Sequence, residues 1–197
     1  MKLKLFILTG FLSLNLLAGS AWGAIFIPNP ADLNDLDHYK YYTWGINFNL
    51  QPNQTIVSAN LFIDNINNWQ VEDFDKLFIH LLDTSDLGVL DYQDDQGGGD
   101  NFTSLFSPNI LLDTYTDLQD TPGPTEDYSY NFTPAQLAVL NSYVQNGNFG
   151  LGFDPDCHYW NDGVQFTIET SSIPEPASLF LLTSGLLGGL KFRRKRS

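Results

Sequence analysis

Apolar and polar residues alternate through much of the middle of this chain. Tyr42, Trp44, Ile46, Phe48 and Leu50 take every second position, with Thr43, Gly45, Asn47 and Asn49 between them. A side-chain period of two sends one set to a buried face and the other to solvent, so this stretch reads as a half-buried strand. Pro52-Asn53 makes a turn, and Val57, Ala59, Leu61 and Ile63 resume the alternation on a second strand ending at Asp64-Asn65. Lys76 to Asp83 is more continuously apolar, as expected of a strand covered on both faces. Phe149, Leu151 and Phe153, then Val164, Phe166 and Ile168, repeat the alternation near the end. Weaker strands are expected over Ser104–Asp113 and Glu126–Phe132, with Pro122-Gly123-Pro124 turning the chain between them.

One segment changes period. Thr133-Pro134-Ala135-Gln136 supplies an N-cap threonine, proline at the first helical position and glutamine at the third, which together make a capping box. Leu137, Leu140 and Val144 then share one helical face, and Gly147 suits the left-handed position past the helix end. Residues 24–40, with Pro28, Pro30 and several Asp and Asn, read as an irregular lead-in segment. Asp91 to Asp100, containing Gly97-Gly98-Gly99, reads as a flexible acidic loop. The expected fold is mainly β: a single antiparallel β-sandwich of jelly-roll type over residues 41–170, with one amphipathic helix covering an end or face.

The two ends of the chain have a different texture. Lys2 and Lys4 precede an apolar stretch from Leu5 to Leu17, and Ala21-Trp22-Gly23 places small residues at the −3 and −1 positions of a cleavage site. Residues 1–23 therefore read as a secretory signal helix. Leu17-Ala18-Gly19-Ser20 has serine where a lipid-accepting cysteine would stand, so lipidation there is not expected. At the other end, residues 173–197 fall into three parts. Pro174-Glu175-Pro176 comes first, the uncharged run Ala177 to Leu190 second, and a terminus with five Lys and Arg in seven residues third. This organisation resembles the PEP-CTERM sorting signal of bacterial surface proteins, whose namesake tripeptide Pro174, Glu175 and Pro176 match. The resemblance implies recognition by a membrane-embedded exosortase that cuts near the tripeptide, with transient inner-membrane anchoring before processing, much as other C-terminal signals lose an apolar tail. Fourteen apolar residues are short of the roughly 20 a spanning helix uses. Phe192 extends the run, and Lys191 and Arg193 reach the interface by snorkelling, with the basic end held inside. The segment Asn148 to Gly163 also resembles the closing part of small β-sandwich domains in other PEP-CTERM proteins. Exosortase sorting further suggests exopolysaccharide, biofilm or floc material at the cell surface or in the extracellular matrix.

Charge sharpens this picture. Of 23 acids all but Glu175 lie between the targeting segments, where only Lys40 and Lys76 oppose them, a formal charge of −20. A domain with so few cations has nothing to neutralise phosphate, which excludes nucleic acid as a partner and repels anionic lipid. Its many aromatics, placed periodically, exclude disorder. A lone Cys157 leaves no internal disulfide.

Candidate chemistry sits mostly in one loop. Asp154, Asp156, Asn161 and Asp162 offer oxygens of the kind Ca²⁺ takes, with Asp64 or Asp83 available to complete the shell. The same residues also suit an ordinary turn closed by Asp162-Gly163. Asp91, Asp94, Asp95 and Asp100 are a second acidic group without EF-hand spacing. Cys157 and His158 are neighbours, so in an extended segment they point apart and make no dyad. No Gly-x-Ser-x-Gly or His-Glu-x-x-His motif occurs. Trp69, Tyr159 and Trp160 lie in loop-like contexts that suit stacking on sugar rings, whereas Trp44 belongs to a core-facing alternation. The favoured expectation is a non-enzymatic exported protein that binds calcium, glycan or both. The alternatives are a secreted polysaccharide hydrolase and a purely structural subunit joined through Cys157.

Overall fold

The computed structural model describes residues 22–68, 75–94, 99–103, 106, 108–117 and 125–173. The alternating stretches form strands β1 (Trp22–Phe26), β2 (Lys40–Asn47), β3 (Gln54–Asn68), β4 (Lys76–Leu82) and β5 (Gly88–Gln93). They continue as β6 (Asn109–Thr116), β7 (Glu126–Asn131), β8 (Asn148–Pro155), β9 (Tyr159–Trp160) and β10 (Gly163–Ser172). One sheet runs β1-β10-β3-β7, with β9 paired to the far end of β3, and the other runs β5-β2-β8-β4-β6. All of these strand pairs are antiparallel. With β5 and β9 set aside, β1, β3, β7 and β10 face β2, β4, β6 and β8, an eight-strand, two-sheet jelly roll.

The period-two pattern builds the core directly. Leu61 and Ile63 of β3, Phe166 and Ile168 of β10, Phe149, Leu151 and Phe153 of β8, and Ile79 and Leu81 of β4 meet between the sheets, all buried. Each contributes about 1.5–3 kcal/mol by leaving water. Phe166 is the hub of the aromatic packing, touching Phe26, Phe132 and Phe149 at ring separations of 6.4, 5.5 and 5.8 Å.

Helix α1 (Pro134–Tyr143) forms for the reasons its sequence gives. Thr133 accepts from Gln136 N, and the Gln136 side chain accepts from Thr133 N at 2.8 Å, the reciprocal pair of a capping box. A 3-10 turn (Val144–Asn146) tightens its exit, and Gly147 takes φ 84°, the left-handed conformation expected of it. The buried side chains Leu140 and Val144 hold the helix to the core, and Asn141 stitches it to β3 through Ile56 N and O at 2.8 and 2.9 Å.

Four elements differ from expectation. The lead-in segment 24–40 begins with part of β1, which pairs with β10 from Trp22↔Thr170 to Phe26↔Phe166. An edge strand needs only one partner, and the prolines fall after it. Strand β3 does not stop at Asp64-Asn65: a register irregularity between Ile63 and Ile66 absorbs them, and pairing runs on to Asn68. Strand β5 occupies the first part of the presumed acidic loop, with Asp91 opposite Tyr42. Strand β6 starts later than Ser104, at Asn109. The proposed signal helix, apart from Trp22 and Gly23, and the apolar run 177–190 lie outside the described residues. Among the described residues no helix is long and apolar enough to cross a membrane.

Candidate functional site

Strand β8 has two buried faces. Phe149, Leu151 and Phe153 point into the core, and the alternate set Gly150, Gly152 and Asp154 points outward, yet these are buried as well. Ser85, between β4 and β5, covers Gly150, and the chain between β5 and β6, through its 3-10 turn (Asn101–Thr103), covers Gly152 and Asp154. A Cβ on Gly152 would stand 2.6 Å from the Phe102 ring, so only glycine lets that ring settle. Phe102 joins Tyr41, Leu82, Tyr92 and Phe106 in a small second core.

Polar groups rim this second core. His80 on β4 is 2 % exposed and stacks on Phe102 at 4.9 Å. Its Nε2 lies 3.0 Å from both carboxylate oxygens of Asp100, and its Nδ1 lies 3.0 Å from Asn109 Oδ1. Asn109 spends its amide nitrogen on Phe102 O at 2.8 Å, so its oxygen faces the imidazole and Nδ1 carries a hydrogen. Asp100 in turn accepts from Phe102 N at 3.0 Å.

Asp154 completes the arrangement. Its Oδ2 accepts from Asn101 N, while its Oδ1 is buried without a hydrogen-bond partner. Burial pushes its carboxyl up to about 7, and the charges of Asp94 and Asp100 push the same way, against the Asn101 hydrogen bond. Near neutral pH this side chain is thus poised to hold a proton. Asp156 accepts from Gly99 N at 2.7 Å and is also raised, burial first among the causes. The two aspartates clasp the covering segment to the sheet.

The four residues proposed from sequence as one calcium shell are divided between two places. Asp154 and Asp156 share the clasp. Asn161 is buried elsewhere, donating to Asp32 O at 2.9 Å, and Asp162 is exposed, accepting from Asn65 Nδ2 at 2.7 Å. The reason is β9, which carries the chain from the end of β8 across to the other sheet before Asn161. Asp64 lies near Asp162 and Asp127: burial, then these two carboxylates, raises its pKa. Among the described residues no three His, Cys, Asp or Glu are gathered so as to hold a metal ion.

The stacking residues also part company. Tyr159 is fully buried, packing edge-on to Tyr115 at 5.8 Å, so it presents no face to a sugar. Sequence context suggested a loop, but β9 turns this side chain inward as its neighbour turns outward. Trp160 is 42 % exposed beside His158, at a ring separation of 5.8 Å. Trp69 lies outside the described residues. Cys157 is 3 % exposed, its thiol 3.0 Å from Asn68 Oδ1, a buried setting that does not present the sulfur to a second molecule. Sequence reasoning missed His80, Asn109 and Phe102 as a unit. The signal that could have found them was Gly150 and Gly152 on one face of a strongly apolar strand, which implies close cover.

The far end of β10 carries the remaining site. Its last residue is Ser172, and Ile173 N donates to Asn53 O at 2.7 Å, so the sandwich is hydrogen-bonded up to the residue before Pro174. A family model for the PEP-CTERM protein-sorting motif matches residues 172–196. The chain is thus a jelly-roll sandwich carrying a PEP-CTERM sorting motif, which implies export and processing by an exosortase-type membrane enzyme after a membrane-anchored step. Pro174, Glu175 and Pro176 lie within the match but outside the described residues. Comparison with curated proteins and with solved structures gave no match.

Proposed function

We propose that this protein is a non-enzymatic component of the cell surface or extracellular matrix, delivered by exosortase-type sorting and associated there with exopolysaccharide. The observation that carries this reading is the sorting motif joined without a linker to a folded acidic sandwich. Such a domain is shipped as a finished unit, and its acids keep it soluble and hydrated in a crowded matrix. We assign glycan contact to the exposed indole of Trp160, beside His158, on the strand that also buries Tyr159. We assign the acids a role through their summed charge rather than through a chelated ion, because Asp154 and Asp156 lie apart from Asn161 and Asp162.

Fractionation of cells with and without exosortase activity tests the first half. Wild-type chain should reach the surface or medium only when the enzyme is present, and a chain with Pro174, Glu175 and Pro176 replaced by alanine should stay in the inner membrane. Co-sedimentation with purified exopolysaccharide tests the second half: Trp160→Ala should weaken binding several-fold with an unchanged melting temperature. Surface delivery of the triple-alanine chain, or turnover of the polysaccharide by the wild type, would overturn the corresponding half.

A further inference from the structure

The sandwich is electrically lopsided. Strand registers place Trp22, Asn47, Gln54, Leu82, Asn131, Asn148 and Ser172 at one end. Three stretches that build this end, Phe48–Asn60, Asn131–Phe153 and Thr170–Ile173, contain no ionisable acid or base other than Tyr143. The described acids at this end are Asp83 and Asp86, in the loop after Leu82 that bonds to Asn146 and Asn148, and Glu169 on β10 comes next. Asp32, Asp35, Asp37, Asp64, Asp75 and Asp117, together with Glu126, Asp127, Asp156 and Asp162, belong to the opposite end. The neutral end also exposes apolar side chains: Ile173 is 53 %, Val57 48 % and Trp22 54 % exposed.

The sorting tail leaves from this neutral end. Three residues, Pro174, Glu175 and Pro176, separate Ile173 from Ala177, where the apolar run starts, and the four residue steps span at most about 14 Å. A lipid headgroup layer is roughly 5–8 Å deep on each side of the hydrocarbon. With the tail inserted and its apolar run starting at the hydrocarbon boundary, Ile173 is therefore held no more than about 6–9 Å beyond the outer surface of the headgroup layer. We propose that, before its tail is processed, the sandwich sits on the lipid surface through its neutral end, with the 48–53 loop, Val57 and Ile173 in the headgroup layer and the acids of the opposite end directed away. This rests on membrane insertion of the sorting tail.

Photo-crosslinking in the full chain tests the orientation. A photoreactive phenylalanine analogue replaces Gln51 at the neutral end or Asp127 at the acidic end, both exposed, and the chain is reconstituted into phosphatidylcholine–phosphatidylglycerol vesicles. The expected result is lipid adduct several-fold higher from position 51 than from 127, falling when a long Gly/Ser spacer is inserted between Ile173 and Pro174 while flotation with vesicles is unchanged. Equal adducts at both positions, adducts to a second copy of the chain in place of lipid, or no effect of the spacer would overturn the docking while leaving tail insertion intact. Loss of flotation in the unmodified chain would overturn both.

Discussion

The two ends of this sandwich are built from the same kind of strand and differ in what terminates them. At the neutral end, backbone groups are capped by side-chain amides: Gln136 serves Thr133, Tyr130 and Leu112, and Asn141 serves Ile56 and Leu137. Toward the acidic end the same work is done by carboxylates. Asp154 and Asp156 hold the covering segment, Asp127 accepts from Asn65 N, and Asp75 accepts from Asn68 Nδ2 at 2.6 Å. Amides cap at any pH and ionic strength, whereas carboxylates cap and repel one another. Stability at one end is therefore insensitive to solution conditions and at the other is set by them.

The largest expected effect breaks this contrast at Asp154. Its carboxyl is near 7 in the fold and near its ordinary value when unfolded, so the folded state holds the extra proton. That contribution is fully present below about pH 4 and is lost as pH rises through 7, amounting to about 3 kcal/mol. Asp154→Asn keeps an oxygen for Asn101 N and removes the titration. In urea melts it should match the wild type near pH 4.5 and exceed it by about 2–3 kcal/mol at pH 8. A parallel pair of pH profiles would show that Asp154 is not buried as described. At the neutral end, Gln136→Ala removes the capping-box bond to Thr133 N and one bond each from Leu112 O and the Tyr130 hydroxyl, which keep their mutual bond at 2.6 Å, and should cost about 2 kcal/mol, equally at pH 5 and pH 8. Added salt sharpens the comparison further. Going from low ionic strength to molar NaCl should stabilise the wild type by about 1 kcal/mol through screening of the carboxylate clusters, with no change in the penalty of Gln136→Ala. The smallest effect is that of Ca²⁺. With the sequence-proposed ligands split between the clasp and the Asn65 contact, millimolar Ca²⁺ or EDTA should leave the melting temperature within error at constant ionic strength. A saturable rise abolished by Asp154→Asn would restore a metal to the clasp.

The strands that build the core were legible because large apolar side chains recur at every second position on the core face. Tyr42 to Phe48 and Phe149 to Phe153 show it plainly even though small or polar residues make their other face buried too, and the capping box at Thr133 announced its helix. The strands that were missed lack that signal. β1 is an edge strand whose Ile25 faces water, and β5 is short and interrupted by Asp91. The candidate site was half legible. Clustering acids by sequence proximity united Asp154 with Asp162, but β9 moves the chain to the other sheet between them. Asp154 instead meets Asp94 and Asp100, which are distant in sequence and had been assigned to a separate loop. Neighbourhood along a chain predicts neighbourhood in space within a strand and fails wherever a sandwich crosses between its sheets. The polarity of the molecule, by contrast, could have been read from the uncharged runs at 48–60 and 131–153 once the strand order was known.

The most direct test of the whole account is the intact mass of the protein recovered from the surface or medium of exosortase-competent cells. A jelly roll hydrogen-bonded up to Ile173 and followed at once by a sorting motif should be recovered with its C-terminus between Ile173 and Ala177, lacking the apolar run and the basic end. Exported protein that still ends at Ser197 would contradict it.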